Sequence, residues 1–438
     1  MRHVWFFLLI PALLQAATPV QLTLKRAVEI AVSPEGNTNI QLSVEALKQA
    51  QARSAEARAA LLPDLEASVT GQSRTENLAA LGIQVAVPIP GFRFPTFVGP
   101  FSTFDARATA SQSVLNFSSI RQYQAAKAGI SAAKSDVRNT DEQVAAQVAR
   151  AYLAALKADA DVETAQSNVT LSQALLTQAD HEKQAGTGTG IEITRARVQL
   201  ANDQQRLLVA QNARRAAHLQ LLRAMGMRLE TEIELTDKLD YAPIDAVTLQ
   251  QAGQQAIQQR ADLESQQRRE DTARLSASAA KMQRLPSVAA FGDYGSIGAG
   301  VDNLLPTRTI GIQVKVPVFD GGRRDAQRAE STSQYRAEQA RTNDLKQQIE
   351  LDVRLALDEL KSAEDQVKVS KDGLELSQNE LAQARRRYEA GVATSVEVTD
   401  AQTRLERARD NQTSALYSYN VARIDLAQSM GRVQAAVQ

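Results

Sequence analysis

The distribution of proline constrains this chain more than any other feature of its sequence. No proline occurs between Phe101 and Ala242, or from Val318 to the end. Proline in a helix interior costs about 3 kcal/mol, so only these two tracts can carry very long helices. Clustered glycines divide each tract near one end and mark a turn. We therefore predict two helical hairpins, with helices at Ile120–Ala185 and Ile191–Met225, and at Arg323–Ala390 and Val396–Met430.

The two hairpins belong to an internal duplication. Gln184–Arg228 aligns without gaps on Glu389–Val433, with identical residues at twelve positions. A repeat this long is a duplicated domain rather than a solenoid unit. The predicted organisation is a signal peptide at 1–17, a first repeat at 18–228 and a second repeat at 229–438. Strands are expected at about 64–73, 104–115, 287–296 and 308–317, with helical hairpins at about 120–225 and 323–430.

The helices carry a heptad pattern. In the last helix Val398, Leu405, Tyr419 and Leu426 occupy one heptad position, and alanines follow three residues later. Small side chains at these positions permit close approach of helices in a coiled coil. In the first repeat Asp203 interrupts the same pattern. Shorter helices near 44–62 and 250–284 are expected to stack on the short arm of each hairpin.

The first residues resemble a targeting segment. Arg2 and His3 precede an apolar run from Val4 to Leu14, and Ala16 and Ala17 offer a small-residue cleavage site. This arrangement is typical of a secretory signal peptide, and the run is too short for a transmembrane helix. The alternative is a buried N-terminal helix.

The proline-containing windows alternate as strands do. Ile310, Ile312 and Val314 are apolar, while the residues between them are polar or small. Each of the four candidate strands has about ten residues, the length of a tilted strand that spans a membrane. Four strands cannot close a barrel, and open edges are not tolerated in lipid. Several chains must therefore contribute; three would give twelve strands and four would give sixteen. A soluble β-ribbon is the alternative.

Composition excludes several classes of function. The formal net charge is zero, which removes the electrostatic argument for nucleic-acid binding. The chain has no cysteine and three histidines, so disulfides, thiol catalysis and Cys-ligated metals are excluded. The glycines around Gly188 follow a predicted helix and not a strand, and their spacing does not fit a dinucleotide loop. We expect no catalytic, cofactor-binding or metal-binding residues and no enzymatic activity.

The duplicated layout resembles the TolC-like outer-membrane efflux proteins. The segment Arg387–Gln402, with Tyr388, Gly391 and Asp400, is similar to that family's hairpin tip. Val316–Gly322 is similar to its strand-to-helix junction, and the Leu-Pro pairs at 62–63 and 285–286 to its strand entries. The order and duplication of these motifs carry the resemblance, which covers nearly all of the chain after the signal peptide.

The resemblance implies an α+β membrane protein that forms a homotrimer. Its twelve-stranded β-barrel, with four strands per chain, would cross the outer membrane and continue into a periplasmic α-helical barrel about 100 Å long. The partners would be a periplasmic adaptor (membrane fusion) protein, an inner-membrane pump of the RND or ABC type, and outer-membrane lipid. The function would be a passive exit duct in efflux or type I secretion.

The family places a periplasmic gate at the hairpin tips. Aligned on the tips, its gate residues correspond to Glu192, Tyr388, Glu397 and Asp400. A hydrogen bond between Tyr388 and Glu192 is expected. The family's Arg two residues after the glycine is Ala393 here, so we expect a looser gate. Glu397 and Asp400 lie three residues apart on one helix face, and three copies would form a ring of six carboxylates that favours cations.

The tips are also the expected docking surface for the adaptor. The residues concerned are Gly186, Thr187, Gly188, Gly190, Gly391, Val392, Thr394 and Ser395. Glycine permits positive φ and the close approach of another backbone. Two other classes of function compete with the duct: a periplasmic coiled-coil adaptor and a coiled-coil structural protein. Drug, metal and protein cargo all stay open.

Overall fold

The computed structural model describes residues 19–83, 96–243 and 248–437, and the expected signal peptide lies outside them. The described residues belong to two compact units. Among the described residues, the first comprises 19–45, 135–243, 248–264 and 344–437, and the second comprises 46–83, 96–134 and 265–343. In chain order the elements are β1 (Val20–Leu22), α1 (Leu24–Val32), α2 (Thr38–Ala59), β2 (Asp64–Asn77), β3 (Phe97–Leu115), α3 (Phe117–Gln184), α4 (Gly190–Met225), β4 (Ile233–Leu235), α5 (Leu249–Gln259), α6 (Ala261–Met282), β5 (Ser287–Gly298), β6 (Leu305–Lys315), α7 (Arg323–Glu389), α8 (Ser395–Ser429) and α9 (Val433–Val437).

The second unit contains an antiparallel sheet with the order β2-β3-β5-β6. The register places Ser68 opposite Arg107, and Arg107 opposite Gly295. Strand β3 begins at Phe97, earlier than its clearest alternation indicates, because it pairs with β2 as far as Asn77. Most of the proline-rich segment before it, residues 84–95, lies outside the described part of the chain.

The four long helices lie in the two proline-free tracts. Helices α3 and α7 have 68 and 67 residues, and α4 and α8 have 36 and 35. The heptad residues of α8 are buried against α7: Val398, Ala401 and Leu405 pack with Leu381 and Ala384. Within the described residues, no helix combines the length and apolarity that crossing a membrane requires.

One expected helix is divided in the structure. The sequence suggests a single helix over 250–284, but α5 ends at Gln259 and α6 begins at Ala261. Arg260 between them is extended, and its guanidinium contacts Asp262 at 2.7 Å and Asp352 at 2.9 Å. Gly431 also packs closely against the Arg260 backbone. Tertiary contacts therefore override the helical pattern at this residue.

The core of the first unit surrounds Tyr152 on α3. Strands β1 and β4 pair in parallel beside it, and Leu22, Val148 and Met225 are fully or almost fully buried there. The Tyr152 hydroxyl donates to the Leu22 carbonyl at 2.8 Å and lies 2.9 Å from Asp237 Oδ2. Burial raises the pKa of Tyr152, and its hydrogen bond to Asp237 raises it further. This tyrosine fixes α3 to the short parallel sheet.

Candidate functional site

Each hairpin turns at a glycine with positive φ. The φ angle is 79° at Gly186 and 72° at Gly391, a conformation that side chains with a Cβ rarely adopt. In the first tip Thr187 N donates to Glu182 O at 3.0 Å, and in the second Val392 N donates to Arg387 O at 3.0 Å. These bonds satisfy carbonyls at the helix ends. The turn itself therefore favours glycine at both positions.

The other tip residues have different local roles. A Cβ at Gly188 would lie 2.9 Å from the Lys183 nitrogen, so close backbone packing excludes a side chain there. Gly190 opens α4 with no positive φ. Thr394 is the N-cap of α8, while Thr187 and Val392 are exposed. The tips therefore present small and exposed groups on a tightly turned backbone.

Glu192 caps its own helix. Its Oε2 accepts from the Thr189 backbone nitrogen at 2.8 Å, which completes a capping box at the start of α4. Its Oε1 also accepts from the Ser395 hydroxyl at 3.4 Å. Ser395 is the first residue of α8, so this carboxylate joins the beginnings of the two short helices.

The prediction that Tyr388 donates to Glu192 is wrong, because a different carboxylate accepts this hydrogen bond. The Tyr388 hydroxyl donates to Glu182 Oε2 at 2.5 Å, on α3 of the first hairpin. Gln178 donates to the other oxygen of Glu182 at 3.0 Å and orients it. Glu192 is already engaged by its own N-cap and by Ser395. Burial raises the pKa of Tyr388, and the bond to Glu182 raises it further, so the phenol stays protonated at neutral pH.

Arg387 reaches an acid of its own hairpin. Its Nε lies 3.0 Å from Glu397 Oε1, and the side chains are 57 % and 41 % exposed. An ion pair this exposed contributes about 0–1 kcal/mol. An arginine–acid contact therefore exists at the tip although position 393 is alanine, but it lies within one hairpin. Asp400 is exposed on α8, one turn from Glu397, and no polar partner for it occurs among the described residues.

Glu182 is not among the gate residues predicted from the sequence, although the duplication contains a signal for it. Glu182 in the first repeat aligns with Arg387 in the second, a reversal of charge at equivalent positions. The reversal leaves an acid on α3 where it accepts from Tyr388, and an arginine on α7 where it pairs with Glu397. Equivalent positions of the two repeats that carry opposite charges therefore indicate contacts that differ between the hairpins.

A second polar contact joins the hairpins beyond the tip. Ser172 on α3 donates to Asp203 on α4, and Gln402 on α8 donates to the Ser172 hydroxyl oxygen at 3.0 Å. Arg206 on α4 contacts Glu406 on α8 at 2.5 Å. Ser172, Asp203, Gln402 and Glu406 are all buried. We call these four residues and Arg206 the inter-hairpin cluster.

Comparison with known proteins identifies the family. The model of the outer membrane efflux protein family matches residues 35–227 and 252–432. The chain is 24 % identical to the pyoverdine export outer membrane protein OpmQ of Pseudomonas putida, over 92 % of this chain and 84 % of that protein. It is 22 % identical to the alkaline protease secretion protein AprF of Pseudomonas aeruginosa, over 74 % and 68 % of the two chains.

The fold is also similar to that of solved outer membrane channels. The structure of the Campylobacter jejuni CmeC outer membrane channel superposes with a TM-score of 0.80 at 17 % identity, over 93 % of this chain and 85 % of that one. The resemblance to TolC-like proteins and the outer-membrane location are confirmed, and the family consists of channels rather than enzymes. The chain belongs to the outer membrane efflux protein family.

Proposed function

We propose that the protein is the outer-membrane exit duct of a tripartite efflux or type I secretion system, conducting substrates passively. The observation that carries this proposal is the four-stranded sheet. Its edge strands, β2 and β6, have no outer partner among the described residues. Unpaired backbone groups are not tolerated in lipid, so the sheet must continue into other chains. A homotrimer closes a barrel of twelve strands.

One face of the sheet is suited to lipid. Val69 on β2 is 82 % exposed and Ile310 on β6 is 84 % exposed, and Leu65, Ile312 and Val314 lie on the same face. An apolar face this large on an isolated chain requires a cover. Outer-membrane lipid supplies one around a closed barrel.

The opposite face is suited to water. Arg107 on β3 contacts Asp105 at 2.7 Å and Asp293 on β5 at 3.2 Å. Gly295 lies opposite Arg107, and a Cβ there would approach the Arg107 Cβ to 2.4 Å, so the glycine makes room for the arginine. A charged cluster on one face and branched apolar residues on the other are typical of a membrane barrel with a polar interior.

The hairpin tips form the periplasmic gate in this proposal. Tyr388–Glu182 joins α7 to α3, and Ser395–Glu192 joins α8 to α4. A duct that opens by parting its hairpins must break both contacts. A hydrogen bond to a charged group contributes about 1.5–3 kcal/mol. The gate therefore holds through Glu182 and Glu192, and lacks the arginine two residues after the glycine.

Glu397 and Asp400 form the ion-selective part of the gate. They lie one turn apart on α8, and three copies place six carboxylates around the opening. Rings of carboxylates favour cations. Arg387 neutralises part of this charge through its contact with Glu397.

The tips are also the proposed docking surface for a periplasmic adaptor. Gly186, Thr187, Gly188 and Gly190 form the first tip, and the second consists of Gly391, Val392, Thr394 and Ser395. The adaptor would connect the duct to an inner-membrane pump of the RND or ABC type. Named relatives act in pyoverdine export and in alkaline protease secretion, so both a small molecule and a protein are cargo classes to test.

Two measurements on the purified protein test the duct. We expect a heat-modifiable trimer in the outer-membrane fraction, and discrete conductance steps when it is inserted into a planar bilayer. Recovery of a monomeric protein from the soluble periplasmic fraction would overturn the proposal. Cross-linking through the tips, followed by identification of the captured adaptor, would define the system it serves.

A further inference from the structure

The inter-hairpin cluster contains more buried negative charge than the proposed gate requires. The side chains of Asp203 and Glu406 are 0 % and 5 % exposed, whereas the Arg206 side chain between them is 58 % exposed. Arg206 lies 2.5 Å from Glu406 and 3.7 Å from Asp203. One partly hydrated guanidinium therefore faces two buried carboxylates.

The duplication shows that helix packing alone does not require these acids. Asp203 aligns with Ala408, and Glu406 aligns with Ala201 in the first repeat. Alanine at position 408 is buried in the coiled coil, as its heptad position predicts. The coiled coil therefore accepts alanine at such a position, and each acid brings charge into a contact between α4 and α8.

The hydrogen bonds of the cluster leave an acceptor unfilled. Gln402 donates to Ser172 at 3.0 Å and to Glu406 at 3.4 Å, but its buried Oε1 has no partner in the described residues. A cavity of about 40 Å³ adjoins Gln402, and Glu192, Tyr388 and Ser395 also line it. This space accommodates an ordered water. Gln199 on α4 donates to both oxygens of Asp203 at 3.2 Å, so the acceptor of the cluster that lacks a donor within the described part of the chain is Gln402 Oε1. One additional proton would supply a donor.

We propose that the closed contact between α4 and α8 binds one proton at Glu406, beside the buried Asp203, and releases it to water when the hairpins part. A buried carboxyl group beside a second carboxylate favours its protonated form, because burial and the like charge both disfavour ionisation. The cluster is then a second lock beyond the tip, and proton release accompanies its opening. This inference deepens the proposed gate and rests on it.

Most of the other charged groups around Glu406 already have an ionic or hydrogen-bonding partner. On α3, Lys157 pairs with Asp161 at 2.7 Å, and Arg409 on α8 donates to Asn168 at 3.3 Å. On α7, Glu380 pairs with Arg404 at 2.8 Å. Asp410 on α8 is exposed. Arg206 is thus the cation in contact with the pair among the described residues.

The sign of the pH effect follows from the burial of Glu406. Burial raises the pKa of Glu406, the nearby Asp203 raises it further, and Arg206 lowers it. A carboxyl group whose pKa is higher in the closed contact than in the open one favours the closed contact at low pH. The contact weakens as the pH rises through the closed-state pKa.

Infrared spectroscopy of the purified full-length protein tests the proton directly. At about pH 7, exposed carboxyl groups are ionised, so a C=O stretch of a protonated acid reports a buried one. We expect this band in the wild type, its loss in Glu406→Gln, and its persistence to higher pH in Arg206→Gln. Glu380→Gln, at an exposed ion pair, should leave it unchanged. A band unaffected by both Glu406→Gln and Asp203→Asn, or no band, would overturn the proposal.

A distance measurement tests whether the contact between α4 and α8 opens as the pH rises. Because the chain contains no cysteine, spin labels at cysteines introduced for Val209 on α4 and Asn411 on α8 would be specific. We expect the distance distribution to broaden and lengthen between about pH 5 and about pH 8 in the wild type. Glu406→Gln should abolish that pH dependence, while Glu380→Gln should retain it. A pH dependence that persists in Glu406→Gln would refute the lock. Neither readout depends on conduction, so a failure here is distinguishable from a failure of the duct.

Discussion

The hydroxyl of Tyr388 donates to Glu182 Oε2 across 2.5 Å and joins the second helical hairpin to the first. Gln178 holds the other carboxylate oxygen at 3.0 Å. The acceptor lies on the outgoing helix of the first hairpin and not on the returning one. This relationship assigns the main tip contact to a residue at which the two repeats carry opposite charges, Glu182 and Arg387.

Removing the Tyr388–Glu182 contact should open the channel. We expect Tyr388→Phe or Glu182→Ala to lose about 1.5–3 kcal/mol of closure in each protomer, which shifts the open-to-closed ratio of that contact by about ten- to a hundred-fold. Single-channel recordings in planar bilayers measure this as open probability. The double variant should resemble either single one, because both remove the same bond.

Glu389→Ala is the control for that experiment. Glu389 lies next to Tyr388 and is exposed, so its neutralisation should leave the open probability within twofold of the wild type. Full additivity of Tyr388→Phe and Glu182→Ala would contradict a direct contact.

Charge at the second tip should set ion preference. We expect Glu397→Ala combined with Asp400→Ala to abolish cation preference and block by divalent cations, because the carboxylates of the ring are then absent. Arg387→Gln should act in the opposite direction, since it removes the cation paired with Glu397. Reversal potentials in a salt gradient give both results, and an unchanged preference in the double variant would eliminate the ring.

The second glycine turn should be necessary for export but not for assembly. Gly391→Leu forces a branched side chain onto a backbone with φ of 72°, at a cost of about 1–2 kcal/mol, and covers the docking surface. We expect a normal heat-modifiable trimer and no export. Gly373→Leu is the control, because a Cβ there meets no other atom within 4 Å and φ is not positive. Normal export by Gly391→Leu would contradict adaptor docking at this tip.

The Tyr152 hydroxyl should stabilise the first unit. Tyr152→Phe removes the buried donor to Leu22 and leaves Asp237 with one partner fewer. We expect a loss of about 1–3 kcal/mol in the free energy of unfolding. Thermal unfolding followed by circular dichroism measures the change. Tyr417→Phe, at a half-buried tyrosine on α8, should unfold within the error of the wild type.

Helix boundaries follow from local chemistry where the hairpins turn and from tertiary contacts elsewhere. Gly186 and Gly391 end their helices because a left-handed residue must follow the last turn, and this requirement is readable from sequence. The break at Arg260 is not readable in that way. It depends on Asp352, which is distant in the chain, and on the packing of Gly431. No periodicity within residues 250–284 carries that information.

The acceptor of the Tyr388 hydroxyl likewise depends on tertiary structure and is not readable from the sequence. Alignment of the tips selected Glu192, because the two residues correspond to a family pair. In the folded chain the Glu192 carboxylate completes the N-cap of α4 and accepts from Ser395, and Glu182 lies within reach of the phenol. The sequence offers both Glu182 and Glu192 as acceptors for the Tyr388 hydroxyl, and only the three-dimensional arrangement shows which of them accepts.

The family, the duplicated layout and the presence of long helices and alternating strands are all readable from the sequence. These are properties of period and spacing, and proline, glycine and heptad positions encode them locally. The acid that accepts the Tyr388 hydrogen bond is visible only in the folded chain. The same holds for Asp203, which interrupts the heptad in the sequence but is buried beside Glu406 in the structure. The hydrogen-bond partner of a carboxylate depends on which side chains lie near it after folding. Its free energy in each contact is set by its burial and by the donors available there.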